Sequence, residues 1–336
     1  MDAERGAILV TGGAGYIGSH AAKALVQAGR RIVVYDNLSA GHREAVQWSD
    51  LVVGDLHDQD RLRDTIDRFG VSAVVHFAAL ALVGESVRDP FRYYWNNVEG
   101  TLALLRTMVA AAVLRLVFSS TAAVYGEPEE VPITEGHVTR PINPYGETKL
   151  AVERALAHFE TAYGLRSVTL RYFNAAGADP DGDLGEDHRP EAHLIPMALE
   201  AALGGEPLHV FGDDYQTPDG TCLRDYVHVT DLAQAHLLAL DRIETRGRSG
   251  VYNLGNGSPF SVKDVMSAVE RVSGRPVPWT QVGRREGDPG VLFASSARIR
   301  AELGWQPAFT TLDRIVETAW RWKFAHPHGF NERTAG

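Results

Sequence analysis

The stretch Gly12-Gly13-Ala14-Gly15-Tyr16-Ile17-Gly18 decides the fold class. It follows directly after an apolar run over residues 7–11 and opens a segment with a helical pattern. Glycines at 12, 15 and 18 let the backbone turn sharply and approach a phosphate closely, and a helix N-terminus offers free N–H groups. The order strand, glycine turn, helix therefore predicts a site for the pyrophosphate of a dinucleotide, although the spacing is G-x-x-G-x-x-G rather than the commoner G-x-G-x-x-G.

The next strand-like run ends on an acidic residue that selects between two dinucleotides. Residues 31–35 lead to Asp36, which lies eighteen residues after Gly18. A carboxylate at this distance can hydrogen-bond the adenosine ribose hydroxyls, and it repels a 2′-phosphate. The sequence therefore predicts NAD rather than NADP.

Strand-like apolar runs alternate with helical patterns through the first half of the chain. The runs cover residues 7–11, 31–35, 51–53, 73–77, 116–119 and 167–170. This alternation predicts an α/β fold with a doubly wound parallel sheet of the Rossmann type and ligands at the carboxyl ends of its strands. Residues 175–192 are rich in Gly, Asp and Pro, so we expect a dinucleotide-binding domain over 1–174 and a smaller mixed α/β substrate-binding lobe over 175–336, with residues of about 225–245 returning to the first domain.

Composition argues against several functional classes. A formal net charge of -10 over 336 residues disfavours nucleic-acid binding. The single cysteine, Cys222, excludes an intrachain disulfide and is typical of a reducing compartment, so we expect a cytoplasmic protein. Residues 1–5 show no signal-peptide pattern. The most apolar stretch, 101–118, carries Arg106 and Arg115, so no membrane span is expected.

The segment Tyr145-Gly146-Glu147-Thr148-Lys149 carries the predicted chemistry. A helical pattern places Tyr145 and Lys149 four residues apart on one face of a helix. A tyrosine acts as a base only when its pKa falls from about 10 towards neutrality, which takes about 4 kcal/mol of phenolate stabilisation. A lysine ammonium and the positive charge of oxidised nicotinamide can together supply it. A strand ending in Ser119-Ser120-Thr121 lies between this segment and the glycine turn.

These motifs resemble the extended short-chain dehydrogenase/reductase family and, within it, the UDP-hexose 4-epimerases. The resemblance rests on residues 10–20, 35–38, 83–86, 96–101, 119–126, 170–174, 219–226 and 284–288. It implies reversible inversion at C4 between UDP-glucose and UDP-galactose, through a 4-keto sugar and with tightly bound NAD. It also implies a homodimer formed through helices around 97–113 and 147–160.

The same resemblance implies roles for individual residues. Tyr145 takes the proton of the sugar 4-hydroxyl, Thr121 hydrogen-bonds the 4-oxygen, and Lys149 holds the nicotinamide ribose. Together with the glycine pattern, it assigns NAD contacts to Gly12, Gly15, Tyr16, Ile17, Gly18, Asp36, Asn37, Asp55, Leu56, Phe77, Asn96, Ser119, Tyr145, Lys149, Tyr172 and Phe173. It assigns contacts with the UDP-sugar to Thr121, Tyr145, Asn174, His193, Phe211, Arg224, Arg285, Asp288 and Leu292.

Alternative functions remain open at this point. An epimerase of UDP-xylose and UDP-arabinose, or of the N-acetylhexosamine pair, would carry the same catalytic residues. A nucleotide-sugar 4,6-dehydratase needs an acid–base pair beside the threonine, and Ala122 and Ala123 follow Thr121 instead. A non-catalytic dinucleotide sensor would be expected to lack the pair Tyr145 and Lys149.

No metal site is predicted. His188 and His193 lie five residues apart in an irregular segment that also holds Glu186 and Asp187, without a cysteine nearby. This spacing does not match the usual zinc-ligand patterns. We therefore interpret the segment as a solvated acidic loop.

Overall fold

A computed structural model describes residues 6–284 and 289–330 of the chain. The strands, in chain order, are β1 (Ala7–Thr11), β2 (Ile32–Asp36), β3 (Asp50–Val53), β4 (Val71–His76), β5 (Arg115–Thr121), β6 (Arg166–Tyr172), β7 (Asn174–Ala176), β8 (Leu208–Phe211), β9 (Leu223–Arg224), β10 (Tyr226–His228), β11 (Gly250–Leu254), β12 (Phe260–Ser261), β13 (Trp279–Val282) and β14 (Val291–Leu292). Each of the six predicted strands overlaps one of β1 to β6.

Helices connect these strands. They are α1 (Tyr16–Gln27), α2 (Gln59–Phe69), α3 (Val83–Arg88), α4 (Pro90–Tyr93), α5 (Gly100–Ala110), α6 (Pro144–Tyr163), α7 (Leu194–Ala202), α8 (Val229–Arg246), α9 (Val262–Ser273), α10 (Ala297–Leu303) and α11 (Leu312–Ala325). A π-helix over Tyr94–Glu99 precedes α5, and a 3₁₀ turn over Ala122–Val124 follows β5. None of the described helices is long and apolar enough to cross a lipid bilayer.

The central sheet has seven parallel strands in the order β11-β6-β5-β4-β1-β2-β3. The chain leaves β1 towards β2 and β3 on one side and returns to β4 on the other. Such a reversal opens a crevice at the carboxyl ends of β1 and β4, where doubly wound proteins bind ligands. The predicted fold class is confirmed. Sequence patterning did not predict β11, which joins the sheet beside β6.

Alternation along β1 shows how the sheet is covered on both faces. Ile8 and Val10 pack into one core with side chains of α1 and α8. Leu9 packs into a second core with side chains of α2, α5 and α6. Apolar residues therefore face helices on both sides, as expected for a parallel sheet that is buried on both faces.

A third core lies outside the central sheet. It is formed by side chains of α7, α9, α11 and β8, and β13 pairs with β8. Nearby, β7 pairs with β10, and β9 pairs with β12 and β14. This mixed group of short strands and helices is the smaller lobe of the predicted fold class. The domain boundary between residues 174 and 175 stays a prediction.

Candidate active site

The glycine turn between β1 and α1 combines two crowded positions with one open position. Gly12 has a φ of 72°, and a Cβ there would lie 2.4 Å from the Ala78 backbone nitrogen. A Cβ at Gly18 would lie 2.2 Å from the Gly12 carbonyl oxygen. At Gly15, which begins α1, the nearest atom to a Cβ would be that same oxygen at 3.4 Å. Gly12 and Gly18 are thus required by packing, whereas Gly15 leaves room for a ligand to approach.

Asp36 ends β2 with its buried carboxylate directed at this turn. Its Oδ2 accepts a hydrogen bond from the Ala14 backbone N–H at 3.0 Å, and its Oδ1 accepts one from Leu38 at 2.8 Å. Burial raises the pKa of Asp36, and the two backbone hydrogen bonds oppose that rise. Ile17 lies half-buried in the first turn of α1. The structure therefore brings the predicted ribose-binding acid next to the predicted phosphate-binding turn.

Asn37 and Asp55 form a polar pair beyond Asp36. Asn37 Nδ2 donates to Asp55 Oδ2 at 2.8 Å, and Asp55 Oδ1 lies 2.7 Å from His57 Nδ1. Burial acts to raise the pKa of Asp55, but hydrogen bonds from His57 and Asn37 lower it overall. Leu56, which lies between Asp55 and His57 in the sequence, is buried. These predicted cofactor residues share the sheet edge formed by β2 and β3.

Other predicted cofactor residues lie at or near the carboxyl ends of β4, β5 and β6. The half-buried Phe77 contacts the His236 ring at 4.6 Å between centroids. The hydroxyls of Ser119 and Tyr172 are hydrogen-bonded to each other, and Phe173 is buried beside them in sequence. Burial raises the pKa of Tyr172 well above its usual range. Phe77 follows β4, Ser119 lies near the end of β5, and Tyr172 ends β6, so these side chains lie at or near the carboxyl ends of three adjacent strands.

Two predicted cofactor residues have their polar atoms engaged within the protein. The Tyr16 hydroxyl donates to the Gly177 carbonyl oxygen at 2.6 Å, so it ties α1 to the segment after β7. Asn96 Nδ2 donates to Asn97 Oδ1 at 2.9 Å. Asn97 in turn donates to the Leu80 carbonyl oxygen and accepts from the Leu80 N–H. Asn97 was not predicted as a site residue. It holds the Leu80 backbone in place, and this contact forms only in the folded chain.

Tyr145 and Thr121 are brought together by the way α6 begins. Asn143 caps the helix by accepting a hydrogen bond from the Gly146 backbone N–H at 2.9 Å. A Cβ at Gly146 would lie 2.5 Å from the Ala123 carbonyl oxygen, so only glycine lets the helix start this close to the end of β5. The Thr121 hydroxyl accepts a hydrogen bond from the Ala123 backbone N–H at 3.1 Å, and its proximity to the Tyr145 phenol acts to lower the phenol's pKa.

Lys149 lies buried one turn further along α6. Its Nζ donates to the Ser119 carbonyl oxygen at 2.8 Å and lies 5.0 Å from the centre of the Phe118 ring. Burial lowers the pKa of Lys149 to about 7, and the negative charge of Glu153 opposes that change. Glu153 is itself held by a buried ion pair with Arg171. The Lys149 side chain, predicted from its spacing to Tyr145, thus extends from α6 to a buried position beside the end of β5.

His76 ends β4 in the same region and was missed from the sequence. Its Nδ1 lies 2.7 Å from the Thr11 hydroxyl and its Nε2 lies 2.9 Å from the Thr101 hydroxyl. Burial and the charge of Lys149 lower the pKa of His76 to about 3. The imidazole therefore stays neutral. The residues next to His76 in the sequence do not indicate that its ring would be buried between the Thr11 and Thr101 hydroxyls.

The protein groups alone do not lower the pKa of Tyr145. Burial raises it above 10, and the hydrogen bond from Thr121 opposes that rise only in part. Lys149 directs its Nζ to the Ser119 carbonyl oxygen. Lys149 by itself therefore does not provide the predicted stabilisation of the phenolate. Burial has the largest effect on the pKa of Tyr145, and it raises that pKa.

The pKa of Lys149 predicts a pH dependence of stability in the NAD-free protein. Between pH about 7 and the usual lysine value near 10.4, the unfolded chain carries a proton at this site that the folded chain has lost. The free energy of unfolding should therefore rise with pH over this window, by up to roughly 1.4 kcal/mol per pH unit. Denaturant unfolding at pH 7.5, 8.5 and 9.5 should show a shallower rise for Lys149→Met than for the wild type.

The half-buried Lys263 provides the control for this measurement. Lys263→Met should keep the wild-type slope. Equal slopes for the wild type and Lys149→Met would show that Lys149 does not lose its proton in this window.

On the substrate side, three predicted residues meet around β9. Asn174 Nδ2 donates to the Asp225 carbonyl oxygen at 2.9 Å. Arg224 lies in β9, and Leu292 of β14 is paired in register with it. Leu292 also packs against a buried cluster that contains Phe173. Asn174, Arg224 and Leu292 thus lie close together around β9 and the residue that follows it.

The remaining predicted substrate residues are placed differently. Phe211 is half-buried at the end of β8. His193 precedes α7, and its Nδ1 faces Glu186 and Glu191 at 2.8 and 3.0 Å. Arg285 and Asp288 lie outside the described residues.

The interpretation of the segment around Glu186 as a solvated acidic loop is wrong. The Glu186 side chain is 6% exposed and that of Asp187 is 10% exposed. The Asp187 carboxylate accepts a hydrogen bond from the Phe330 backbone N–H, and its Oδ2 lies 3.4 Å from His42 Nε2. The chain after α11 therefore covers this loop, which the local sequence does not reveal.

Comparison with known protein families shows to which family this chain belongs. The sequence pattern of the NAD dependent epimerase/dehydratase family matches residues 8–255, from β1 to the end of β11. The chain belongs to this family. The match confirms the family implied by the resemblance of the sequence motifs.

Individual members of the family are similar over nearly the whole chain. A UDP-glucose 4-epimerase of Halalkalibacterium halodurans is 53% identical and covers 97% of this chain and 98% of its own length. The crystal structure of a UDP-glucose 4-epimerase from Brucella ovis in complex with NAD has a TM-score of 0.92 and 51% identity, covering 94% of this chain and 98% of that one. The Bifidobacterium longum enzyme in complex with NAD+ and UDP has a TM-score of 0.91 and 38% identity, covering 96% and 99%.

The residues of the chain described here fit NAD. The open face of Gly15 and the free N–H groups that begin α1 suit the pyrophosphate. The Asp36 carboxylate at the end of β2 suits the adenosine ribose. Lys149 lies at the end of β5, across the crevice from this turn. The chemistry of the donor set thus matches a dinucleotide spread over the switch point of the sheet.

Proposed function

We propose that this chain interconverts UDP-glucose and UDP-galactose by inversion at C4, through a 4-keto sugar and with NAD bound, and that it serves galactose metabolism. One observation carries the proposal: the Thr121 hydroxyl acts on the Tyr145 phenol at the start of α6, and Lys149 lies buried one helical turn away. The name shared by its similar relatives supports it. The absence of an acid–base pair after Thr121 disfavours a dehydratase.

Binding of NAD would rest on the glycine turn, Asp36 and Lys149. The chemistry that NAD supplies when bound is reversible hydride transfer with C4 of the sugar. The turn would hold the pyrophosphate through backbone N–H groups, and Asp36 would accept hydrogen bonds from the adenosine ribose. Lys149 would donate to the nicotinamide ribose from its buried position, with Ser119 keeping its Nζ in place. Tyr172 and Phe173 would exclude water from that end of the crevice.

Tyr145 would move the proton at the sugar 4-oxygen. As the 4-hydroxyl becomes a carbonyl, the Tyr145 oxygen accepts its proton, and Thr121 keeps a hydrogen bond to the 4-oxygen. The reverse step returns the proton from Tyr145. A cationic environment on the open side of the phenol would be needed, because the protein groups alone raise its pKa.

Inversion requires that the UDP stays in place while the keto sugar turns. Asn174, Phe211 and Arg224 would hold the UDP, and the guanidinium of Arg224 suits a diphosphate through charge-assisted hydrogen bonds. We also propose His193, Arg285 and Asp288 for this role on the resemblance described above. With the nucleotide anchored, both faces of C4 could be presented in turn to the same proton-transfer group.

An assay of the purified protein with a panel of UDP-sugars tests the proposal. UDP-galactose should be converted to UDP-glucose, detected by a coupled UDP-glucose oxidation, and the rate should exceed that with UDP-xylose. Substrate should also change the absorbance of the bound cofactor near 340 nm. Faster conversion of UDP-xylose or UDP-N-acetylglucosamine would favour the corresponding alternative epimerase. No conversion of any UDP-sugar, with NAD retained, would favour a dinucleotide sensor.

Leu292 is the residue for which we expect a selective effect on the sugar. It is partly buried against the cluster that contains Phe173, next to Arg224 in register. A leucine leaves partial room for an acetamido group but gives its N–H no partner, which should cost on the order of 1–3 kcal/mol against the plain hexose. We expect slow epimerisation of UDP-N-acetylglucosamine beside efficient conversion of UDP-galactose. Leu292→Tyr should abolish only the slow reaction, measured as kcat/KM for both sugars.

Leu292→Met is the control, because it changes shape but adds no ring. It should leave the ratio of the two activities within about threefold of the wild type. Equal loss of both activities in Leu292→Tyr would mean that the position is structural and does not select the sugar.

We also propose that the chain forms a homodimer through α5 and α6. Large apolar side chains are exposed just before α5: Phe91 is 77% exposed and Trp95 is 52% exposed. Tyr163, at the end of α6, is 52% exposed. Light scattering after gel filtration should give twice the chain mass, whereas a monomeric mass at micromolar concentration would contradict the proposal.

A further inference from the structure

Four side chains of metal-ligand type converge in the loop between β7 and α7. They belong to Glu186, His188, Glu191 and His193, and one ligand atom from each lies within 4.8 Å of all the others. Three of the four are half-buried, while the fourth, His193, is exposed. The sequence spreads them over eight residues, so only the folded loop brings them to one point.

Four separations between the histidine nitrogens and the carboxylate oxygens show how compact the cluster is. His188 Nδ1 lies 3.2 Å from Glu186 Oε1 and 3.7 Å from Glu191 Oε2. His193 Nδ1 lies 2.8 Å from Glu186 Oε1 and 3.0 Å from Glu191 Oε1. Tetrahedral ligands at about 2.0–2.2 Å from a zinc ion are roughly 3.3–3.6 Å apart. The cluster is therefore compact enough to surround one small ion, which would require His193 Nδ1 to move slightly away from the two carboxylates.

Two of these atoms lack the hydrogen bonds that burial would demand. The Glu186 side chain is 6% exposed, yet its Oε1 accepts no hydrogen bond from any described residue. His188 Nδ1 is likewise buried without a hydrogen-bond partner among the described residues. His193 Nδ1 hydrogen-bonds Glu191 Oε1 at 3.0 Å, whereas the contacts made by Glu186 Oε1 and His188 Nδ1 are close but do not lie along hydrogen-bond directions. Buried polar atoms without partners are rare, and a shared ion is one explanation for them.

A second acidic cluster nearby has its own cation. Asp179, Asp181 and Asp183 each contact Lys23 Nζ, at 2.5, 2.9 and 2.8 Å. The lysine ammonium takes the place that an ion would occupy there. This cluster is therefore satisfied within the chain, and it supplies a matched control for the first.

We propose that Glu186, His188, Glu191 and His193 bind a divalent transition-metal ion, with zinc as the best match. Two imidazoles disfavour magnesium and calcium, which prefer oxygen ligands. Four protein ligands complete the coordination of zinc, so the site is structural rather than catalytic. The partly open His193 side gives the ion a path of entry.

Such an ion would link the cofactor-binding turn to the smaller lobe. The ring of Tyr16, at the start of α1, meets the His188 ring edge-on at 6.1 Å between centroids. His193 directly precedes α7. Coordination through Nδ1 leaves Nε2 of His193 for the proposed contact with substrate. Because zinc would bind only the folded loop, it should stabilise the folded protein.

Metal titration of the full-length protein after chelator treatment tests the proposal without reference to its activity. We expect one zinc ion per chain after gel filtration, and a rise in Tm of at least about 3 °C with excess zinc. Cobalt(II) added in place of zinc should give visible absorption of the intensity typical of four-coordinate cobalt. His188→Gln and Glu186→Gln should each lose at least about tenfold in zinc affinity and most of the Tm rise.

Asp181→Asn, in the cluster occupied by Lys23, should bind zinc as the wild type does. The proposal fails if the wild type retains no zinc, or if both variants bind zinc as tightly as the wild type. Six-coordinate cobalt spectra would also overturn it. If one variant does not fold, the wild-type titration and the second variant still decide. In each of these cases the cluster would be two imidazolium–carboxylate ion pairs.

Discussion

Tyr145→Phe should lower kcat for UDP-galactose by about 10²–10⁴-fold while NAD and UDP binding stay close to the wild type. The change removes one oxygen atom, the one that takes and returns the proton of the 4-hydroxyl. The ring stands in the first turn of α6, whose start is fixed by the Asn143 cap, so it can keep its place without the hydroxyl. The coupled epimerase assay, absorbance of bound NAD and calorimetric UDP binding measure the three quantities.

Tyr163→Phe is the matched control, because Tyr163 lies at the other end of the same helix with 52% of its surface exposed. It should retain wild-type turnover, because the change removes only the hydroxyl and keeps the exposed ring that the proposed dimer contact would use. Turnover above about a tenth of the wild type in Tyr145→Phe would show that another group acts as the base.

Gly18→Ala should destabilise the protein by about 1–3 kcal/mol and reduce NAD retention on gel filtration. The new methyl group would lie 2.2 Å from the Gly12 carbonyl oxygen and 2.9 Å from the Gly13 Cα, both backbone atoms. Relief requires α1 to move away from the turn, which displaces the N–H groups proposed to hold the pyrophosphate. Denaturant unfolding gives the loss of stability, and bound NAD is measured by its absorbance.

Gly84→Ala provides the comparison for this variant. Gly84 is an exposed residue inside α3, and the nearest atom to a Cβ there would be Arg88 Nη1 at 3.8 Å. Helix propensity alone then applies, so stability should stay equal or rise by up to about 1 kcal/mol. The explanation fails if Gly18→Ala and Gly84→Ala change stability in the same direction.

Local patterns were sufficient to propose much of the candidate site. Asp36 was found because it ends an apolar strand at a set distance from the glycine turn, and the pair Tyr145 and Lys149 because helix geometry places residues four apart on one face. Each prediction needs only the neighbouring residues and a period. The same holds for β1 to β6, whose apolar runs alternate with helical patterns.

Burial, in contrast, depends on segments that are distant in the chain. His76 is neutral because α5 and Lys149 close over it, and the loop around Glu186 is covered by the segment after α11. The strand β11 joins the sheet only because β6 offers it a free edge.

The sequence by itself therefore determined the class of fold, the position of the glycine turn and the placement of Tyr145 and Lys149 one turn apart on α6. Periodicity and turn chemistry act over a few residues, and they can be recognised without the rest of the chain. Only the tertiary structure decided the pKa of Lys149 and the convergence of Glu186 and His188. Both depend on which groups exclude water from a side chain, and that follows from long-range packing.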